Sequence, residues 1–221
     1  MRLLSALRRA DHIREIAETT RRTVLRPLPS YWAGLEQAAA YTKADLRDVA
    51  LRMDQRLRRH QVHVRALGGD ESERFATAAL INVPTHDAAE GRDIDVELVN
   101  CGHLTPLAVG PDGVRTLTGD ATLPLGMLGL TGETPASDLV PVRAGETLLL
   151  VSDGVTEARD ADGAFYPLSD DLTSALRDDP ALSEPRRLVR YVRAAAARHA
   201  ANGLTDDTTV LAVRHSPGQG A

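Results

Sequence analysis

Residues 146–163, ETLLLVSDGVTEARDADG, pose the question on which the reading of this chain turns. Leu148, Leu149, Leu150 and Val151 form an apolar run of strand length. The run ends in Asp153-Gly154. A carboxylate at the end of an apolar strand is costly to bury unless it is paired or bound to a metal. Glycine beside it permits a tight turn and close approach of a ligand or of backbone. A second acidic pair, Asp206-Asp207, opens another apolar run in DDTTVLAVRH (206–215). Taken singly, each acid reads as a turn or cap residue. Two acidic strand edges that converge would make an oxygen-only ligand set, which suits Mg²⁺ or Mn²⁺.

Outward from this stretch, further strand patterns appear. RFATAALINV (74–83) is one. DIDVELVNCG (93–102) alternates, with Ile94, Val96 and Leu98 on one face and Asp93, Asp95 and Glu97 on the other. LTPLAVG and GVRTL flank a PDG turn at 111–113, the signature of a hairpin. Helical spacing appears in residues 11–25 and in ADLRDVALRMDQRLRRH (44–60). In the latter, Asp45 serves as N-cap and Leu46, Val49, Ala50, Met53 and Leu57 form one stripe. The arginines at 47, 52, 56, 58 and 59 read as a solvated face. SEPRRLVRYVRAAAARHAANG (183–203) is a helix with Ser183 as N-cap, Pro185 in its first turn and Gly203 past its end. The tail 216–221 is expected to be disordered. Hairpin-linked strands with few helices between them predict an antiparallel α+β fold.

Composition sets limits on function. Hydrophobic residues make up 43% and charged residues 26% of 221, an ordinary soluble balance. Aromatics are only 3%, so the core must be built from Leu, Val and Ala. A net charge of −5 does not favour a nucleic-acid surface. No apolar run approaches the roughly 18 residues of a membrane span. The mixed-charge N-terminus has no apolar segment of the secretory type. The one cysteine, Cys101, excludes a disulfide framework, and cytoplasmic residence is the expectation.

The order of these segments resembles the metal-dependent (PPM-type) protein serine/threonine phosphatases, in the bacterial branch typified by the sporulation stage II protein E phosphatase. RFATAALINV resembles that family's Phe-Ala/Val-Thr-Ala strand. VNCGHLTPLAV resembles its Ala-Gly-His-Pro-Pro hairpin, and LPLGML its Pro-Leu-Gly-Leu segment. LLLVSDGVTEARDADGAFY and TDDTTVLAV resemble its two C-terminal acidic motifs. The resemblance runs from about Phe75 to Val213. It implies a sandwich of two antiparallel β-sheets flanked by helices. It also implies a binuclear Mn²⁺ or Mg²⁺ site at which water, not a protein nucleophile, attacks a phosphoester. Carried onto this chain, it makes Asp153 and Asp206 metal ligands with Asp207 as neighbour. Gly154 would allow close approach there. His103 matches a motif residue, but its neighbours read as a hairpin, which gives it a structural role. The implied partner is a phosphoserine or phosphothreonine protein, such as an anti-sigma-factor antagonist. No nucleic acid or membrane is implied.

The chain departs from the family pattern on its N-terminal side. The family's Gly-Gly-Asp-Phe-Tyr-Asp strand and Gly-Asp-Val-X-Gly-Lys-Gly segment, which supply further ligands, are missing. GLEQAAAYTKA passes directly into the helix near Lys43-Ala44-Asp45. Gly68-Gly69-Asp70 reads as a turn rather than a substitute. The domain is therefore expected over 31–215 in reduced form, after an N-terminal helix or linker at 1–30. Lost strands expose sheet edges, which favours a homodimer. A non-catalytic binding module that keeps the phosphatase surface is the alternative, with a decayed copy as a third reading. A haloacid-dehalogenase-like phosphatase fails on one residue, because its nucleophilic aspartate would fall at Val151. An EF-hand at 160–163 lacks the loop's spacing and terminal glutamate.

Overall fold

The computed structural model describes residues 45–66, 75–84, 93–130, 132 and 134–214. The chain divides between Lys43 and Ala44 into two units, and the second carries every element below. The expected helix at 11–25, the turn at 68–70 and the tail at 216–221 lie outside the described residues.

Helix α1 (Leu46–Ala66) begins at Asp45 as expected. The Asp45 Oδ1 accepts the Arg47 N–H at 2.9 Å, and its carbonyl accepts the Val49 N–H at 3.1 Å. The Arg47 guanidinium folds onto the same carboxylate and holds its pKa down to about 2. Leu46, Ala50, Met53 and Leu57 pack with Leu51 against Val99, Cys101, Leu125 and Leu128. Val49 is half-buried outside that cluster, so the stripe is rotated slightly from its expected position. Arg47, Arg52, Arg56, Arg58 and Arg59 are exposed.

The first sheet is built around β2 (Ile94–Cys101). β1 (Ala78–Asn82) pairs with it antiparallel, Ala78 opposite Cys101. β6 (Asp138–Val142) pairs antiparallel with its first half, Ile94 opposite Val142. The short β5 (Ala121–Thr122) lies parallel to Asn100–Cys101. The second sheet runs β4-β3-β7-β8, all antiparallel. Its strands are β3 (Leu107–Gly110), β4 (Gly113–Thr116), β7 (Thr147–Val151) and β8 (Val210–Arg214). The β3–β4 hairpin closes over Pro111-Asp112, and Gly113 takes a φ of 137° that favours glycine.

The sheets pack face to face through Ile94, Val96, Leu98 and Val142 on one side and Ala108 and Leu148 on the other. Alternation in β2 stops after Leu98 because α1 covers the outer face, burying Val99 and Cys101 as well. Burial raises the Cys101 thiol pKa. The far face of the second sheet carries α3 (Leu168–Asp178) and α4 (Pro185–His199). Leu172, Leu176, Leu188 and Val192 seal it against Val109, Leu149 and Val151. Helix, sheet, sheet and helices thus stack in order, the α+β sandwich expected.

The N-cap of α4 is Glu184, extended at φ −60° and ψ 130°, and not Ser183. Ser183 is still in the preceding turn, and its hydroxyl donates to the Pro180 carbonyl. The strand expected from 206 begins only at Val210. Asp206 and Thr208 spend their side chains on local backbone bonds, which compete with ladder pairing.

Candidate functional site: two acidic segments joined at one sheet end

β7 and β8 are neighbours, Leu149 opposite Ala212 and Val151 opposite Val210. The residues leaving β7 and those entering β8 therefore meet at one end of the sheet. Past Val151, the chain turns at once into α2 (Asp153–Thr156), a single helical turn. Ser152 ties the two segments together. Its N–H donates to the Thr209 carbonyl at 3.0 Å. Its hydroxyl donates to the Asp207 carbonyl at 2.9 Å and accepts the Thr209 N–H at 2.9 Å.

Gly154 is buried in this junction. A Cβ built on it would lie 2.6 Å from the Asp207 carbonyl oxygen and 3.3 Å from the Asp206 carbonyl carbon. Only hydrogen fits there. The close approach expected of Gly154 is thus made by the Asp206-Asp207 backbone itself.

Asp153, Asp206 and Asp207 are all exposed. The Asp153 Oδ1 accepts the Gly154 N–H at 3.0 Å, and the Asp206 Oδ1 accepts the Asp207 N–H at 2.7 Å. Each carboxylate keeps its second oxygen without a protein donor among the described residues. Such oxygens suit a hard divalent cation, and Mg²⁺ typically takes one or two protein carboxylates plus water and substrate phosphate. Among the described residues, no group of three or more His, Cys, Asp or Glu side chains gathers to hold a metal. Among the described residues, these carboxylates fall short of the larger cluster that a pair of cations would need.

His103 is half-buried and its hydrogen bonds are local. Its N–H donates to the Asn100 Oδ1 at 2.8 Å, and its Nδ1 lies 2.9 Å from the Leu104 carbonyl. Asp160, in the 160–163 segment, folds onto its own loop, its Oδ1 accepting the Asp162 and Ala164 N–H groups.

Three features escape a reading of the sequence. The first is the Ser152 bracket, because a serine between strand and acid has no distinctive pattern. The second is an apolar recess of about 280 Å³ beside α2, lined by Leu104, Leu107, Val151, Thr156, Leu168 and Asp170 among others. The third is Asp54, fully buried on α1. Its Oδ1 accepts the Gly126 N–H at 2.7 Å and the Leu128 N–H at 3.2 Å, while Arg58 Nε donates to Oδ2 at 2.7 Å. This carboxylate moors the LPLGML segment to α1. An acid beside the apolar stripe, four residues before an arginine, was the available signal.

Residues 33–216 match the family model described as Stage II sporulation protein E (SpoIIE). No curated protein matches the chain. Among solved structures, the RsbU and RsbW domains of a Mycobacterium tuberculosis protein align with a TM-score of 0.50 at 22% identity. That alignment covers 72% of this chain and 40% of that one. The manganese-presoaked SpoIIE phosphatase domain of Bacillus subtilis aligns at 0.49 and 14% identity, covering 78% and 76% of the two chains. The SiaA-PP2C domain of Pseudomonas aeruginosa aligns at 0.48 and 18% identity, covering 76% and 69%.

Proposed function

The chain belongs to the stage II sporulation protein E family, and from that membership we propose that it is a metal-dependent protein serine/threonine phosphatase. Its substrate is a phosphoserine or phosphothreonine on a regulatory protein, such as an anti-sigma-factor antagonist. The observation that carries this reading is the junction at Gly154, where the two acidic segments are pressed into backbone contact.

In this reading Asp153 and Asp206 hold the cation, Mn²⁺ or Mg²⁺, with Asp207 beside them. When bound, the cation supplies charge stabilisation to the phosphoryl oxygens. The remaining work falls to the chain. Ser152 and Gly154 fix the spacing of the two segments, so the carboxylates need little reorganisation when a phosphate arrives. Because Asp153 and Asp206 are exposed, a phosphorylated side chain on a protein surface reaches them without a deep cleft.

A second reading is favoured by the donor set. Among the described residues no larger cluster of ligands joins the two acidic segments, and such a set suits a module that binds the phosphoprotein and does not turn it over. Phosphate release from a phosphoserine protein separates the two. Release that requires Mn²⁺ supports the phosphatase. Saturable, Mn²⁺-dependent binding with no release supports the silent module.

A further inference from the structure

The apolar recess beside α2 is a concavity whose walls all belong to described residues. Its floor is core: Leu107, Leu149, Val151 and Leu168 are buried. Packing of α3 and α4 on the second sheet holds those side chains, so the shape is preformed. Its volume of about 280 Å³ falls short of the roughly 300–1,000 Å³ typical of sites for whole small ligands. A single aliphatic side chain suits it better. The recess also lies beside the acids. Val151 ends β7 two residues before Asp153, and Thr156, on the wall, closes the helical turn that Asp153 opens. One turn of helix spans about 5 Å. In an extended chain, residues two apart point to the same side and lie about 7 Å apart. A segment with its phosphate at Asp153 and Asp206 therefore reaches the recess with a neighbouring side chain. The charge on the lining is Asp170, in the first turn of α3, and Glu157 directly follows Thr156.

We infer that this recess is a specificity pocket for the phosphoprotein, taking an aliphatic side chain within about three residues of the phosphorylated one. The pocket deepens the reading of the junction as a phosphoprotein site and rests on it, whether or not turnover follows. Leu107, Leu149, Val151 and Leu168 supply the apolar floor, and burial of a leucine or methionine there removes its surface from water. An aspartate or glutamate at the same place would lose its hydration without gaining a partner. Asp170 adds a second preference. Its carboxylate at the recess attracts a lysine or arginine next to the seated residue and repels an acid. The substrate segment so selected carries a phosphate for the acidic junction, an aliphatic side chain for the recess and a basic residue beside it.

The test reads binding and needs no turnover. The probe is a short fluorescent polyalanine peptide carrying the non-hydrolysable phosphonate isostere of phosphoserine at its centre. A single leucine is walked through the positions on either side, and each peptide is titrated into the full chain with Mn²⁺. At one position or more, leucine should bind about tenfold or more tighter than alanine. Thr105→Phe, from the β2–β3 loop, and Ser169→Phe, from α3, each place a ring in the recess. In both the leucine-to-alanine ratio should fall to about 1, a change that general loss of stability would not produce. Asp170→Lys should reverse the preference for lysine over glutamate beside the leucine. Thermal melts show that each variant is folded, and the two ring variants lie on different elements, so one remains to decide if the other fails. The pocket is overturned if leucine matches alanine at every position, as it would were another part of this chain seated there. It is overturned equally by a ratio that persists in a folded ring variant, or by absence of binding. Turnover of an aryl phosphate, which has no side chain to seat, shows separately whether the phosphatase reading stands.

Discussion

Replacing Gly154 with alanine would place a methyl carbon 2.6 Å from the Asp207 carbonyl oxygen, closer than such atoms approach. Backbone must move, and the expected cost is about 1–3 kcal/mol. Urea unfolding measures that loss, and Mn²⁺ affinity should fall with it, since the acids sit on the displaced segment. Unchanged stability would mean there is slack in the junction. Asp54 makes a second residue-scale case. Asp54→Ala strands the half-buried Gly126 N–H and the buried Leu128 N–H, at an expected cost of about 1–3 kcal/mol. Asp54→Asn keeps an oxygen acceptor and should cost less; equal losses would contradict the mooring role. Asp45 gives a pH dependence. Its folded pKa is depressed to about 2 by Arg47, so its contribution is present above the ordinary carboxylate range. It is lost as pH falls from about 4 towards 2. Carbon-detected NMR titration of the Asp45 carboxyl should follow that shift, and a midpoint near 4 would refute it.

At the scale of elements, Thr147 links three of them. It is fully buried at the start of β7, donates to the Ser183 carbonyl at 2.6 Å and accepts from Arg214 Nε on β8 at 3.0 Å. Thr147→Val keeps the shape and removes both bonds. The expected loss is about 1–3 kcal/mol, read as a lower denaturation midpoint with an unchanged m-value. A neutral result would show that Arg214 finds enough in Glu184 and Ser183. Most elements were legible where apolar periodicity was strong, as in β2, β7, α1 and α4. β6 was missed because DLVPV carries a proline and an exposed Leu139, which blur the period of two. α3 was missed because Pro167 sits where a capping residue would and no side chain caps it. Ser183 misled as an N-cap because its hydroxyl is spent on Pro180 and Arg214, contacts invisible in one dimension.

At the scale of the molecule, the sandwich was legible from the order of its strands. Its layering was less so, because only the fold shows α1 covering Val99 and Cys101 and turning β2 into a strand buried on both faces. At the site, Asp153, Gly154, Asp206 and Asp207 were nominated from sequence, and the fold joins their segments through Ser152 and Gly154. The exposure of Leu211 and Val213 on β8 was not legible, since strand residues of that kind are ordinarily core. Among the described residues, no helix is long and apolar enough to cross a membrane. We propose that the Asp153 and Asp206-Asp207 junction is a working, metal-dependent phosphatase edge. The most direct measurement is turnover of an aryl phosphate by the folded chain with and without Mn²⁺, beside Asp153→Asn. The expected turnover requires Mn²⁺, saturates with it and disappears in the variant. Absence of Mn²⁺-dependent turnover from folded protein, or turnover that persists in Asp153→Asn, would contradict it.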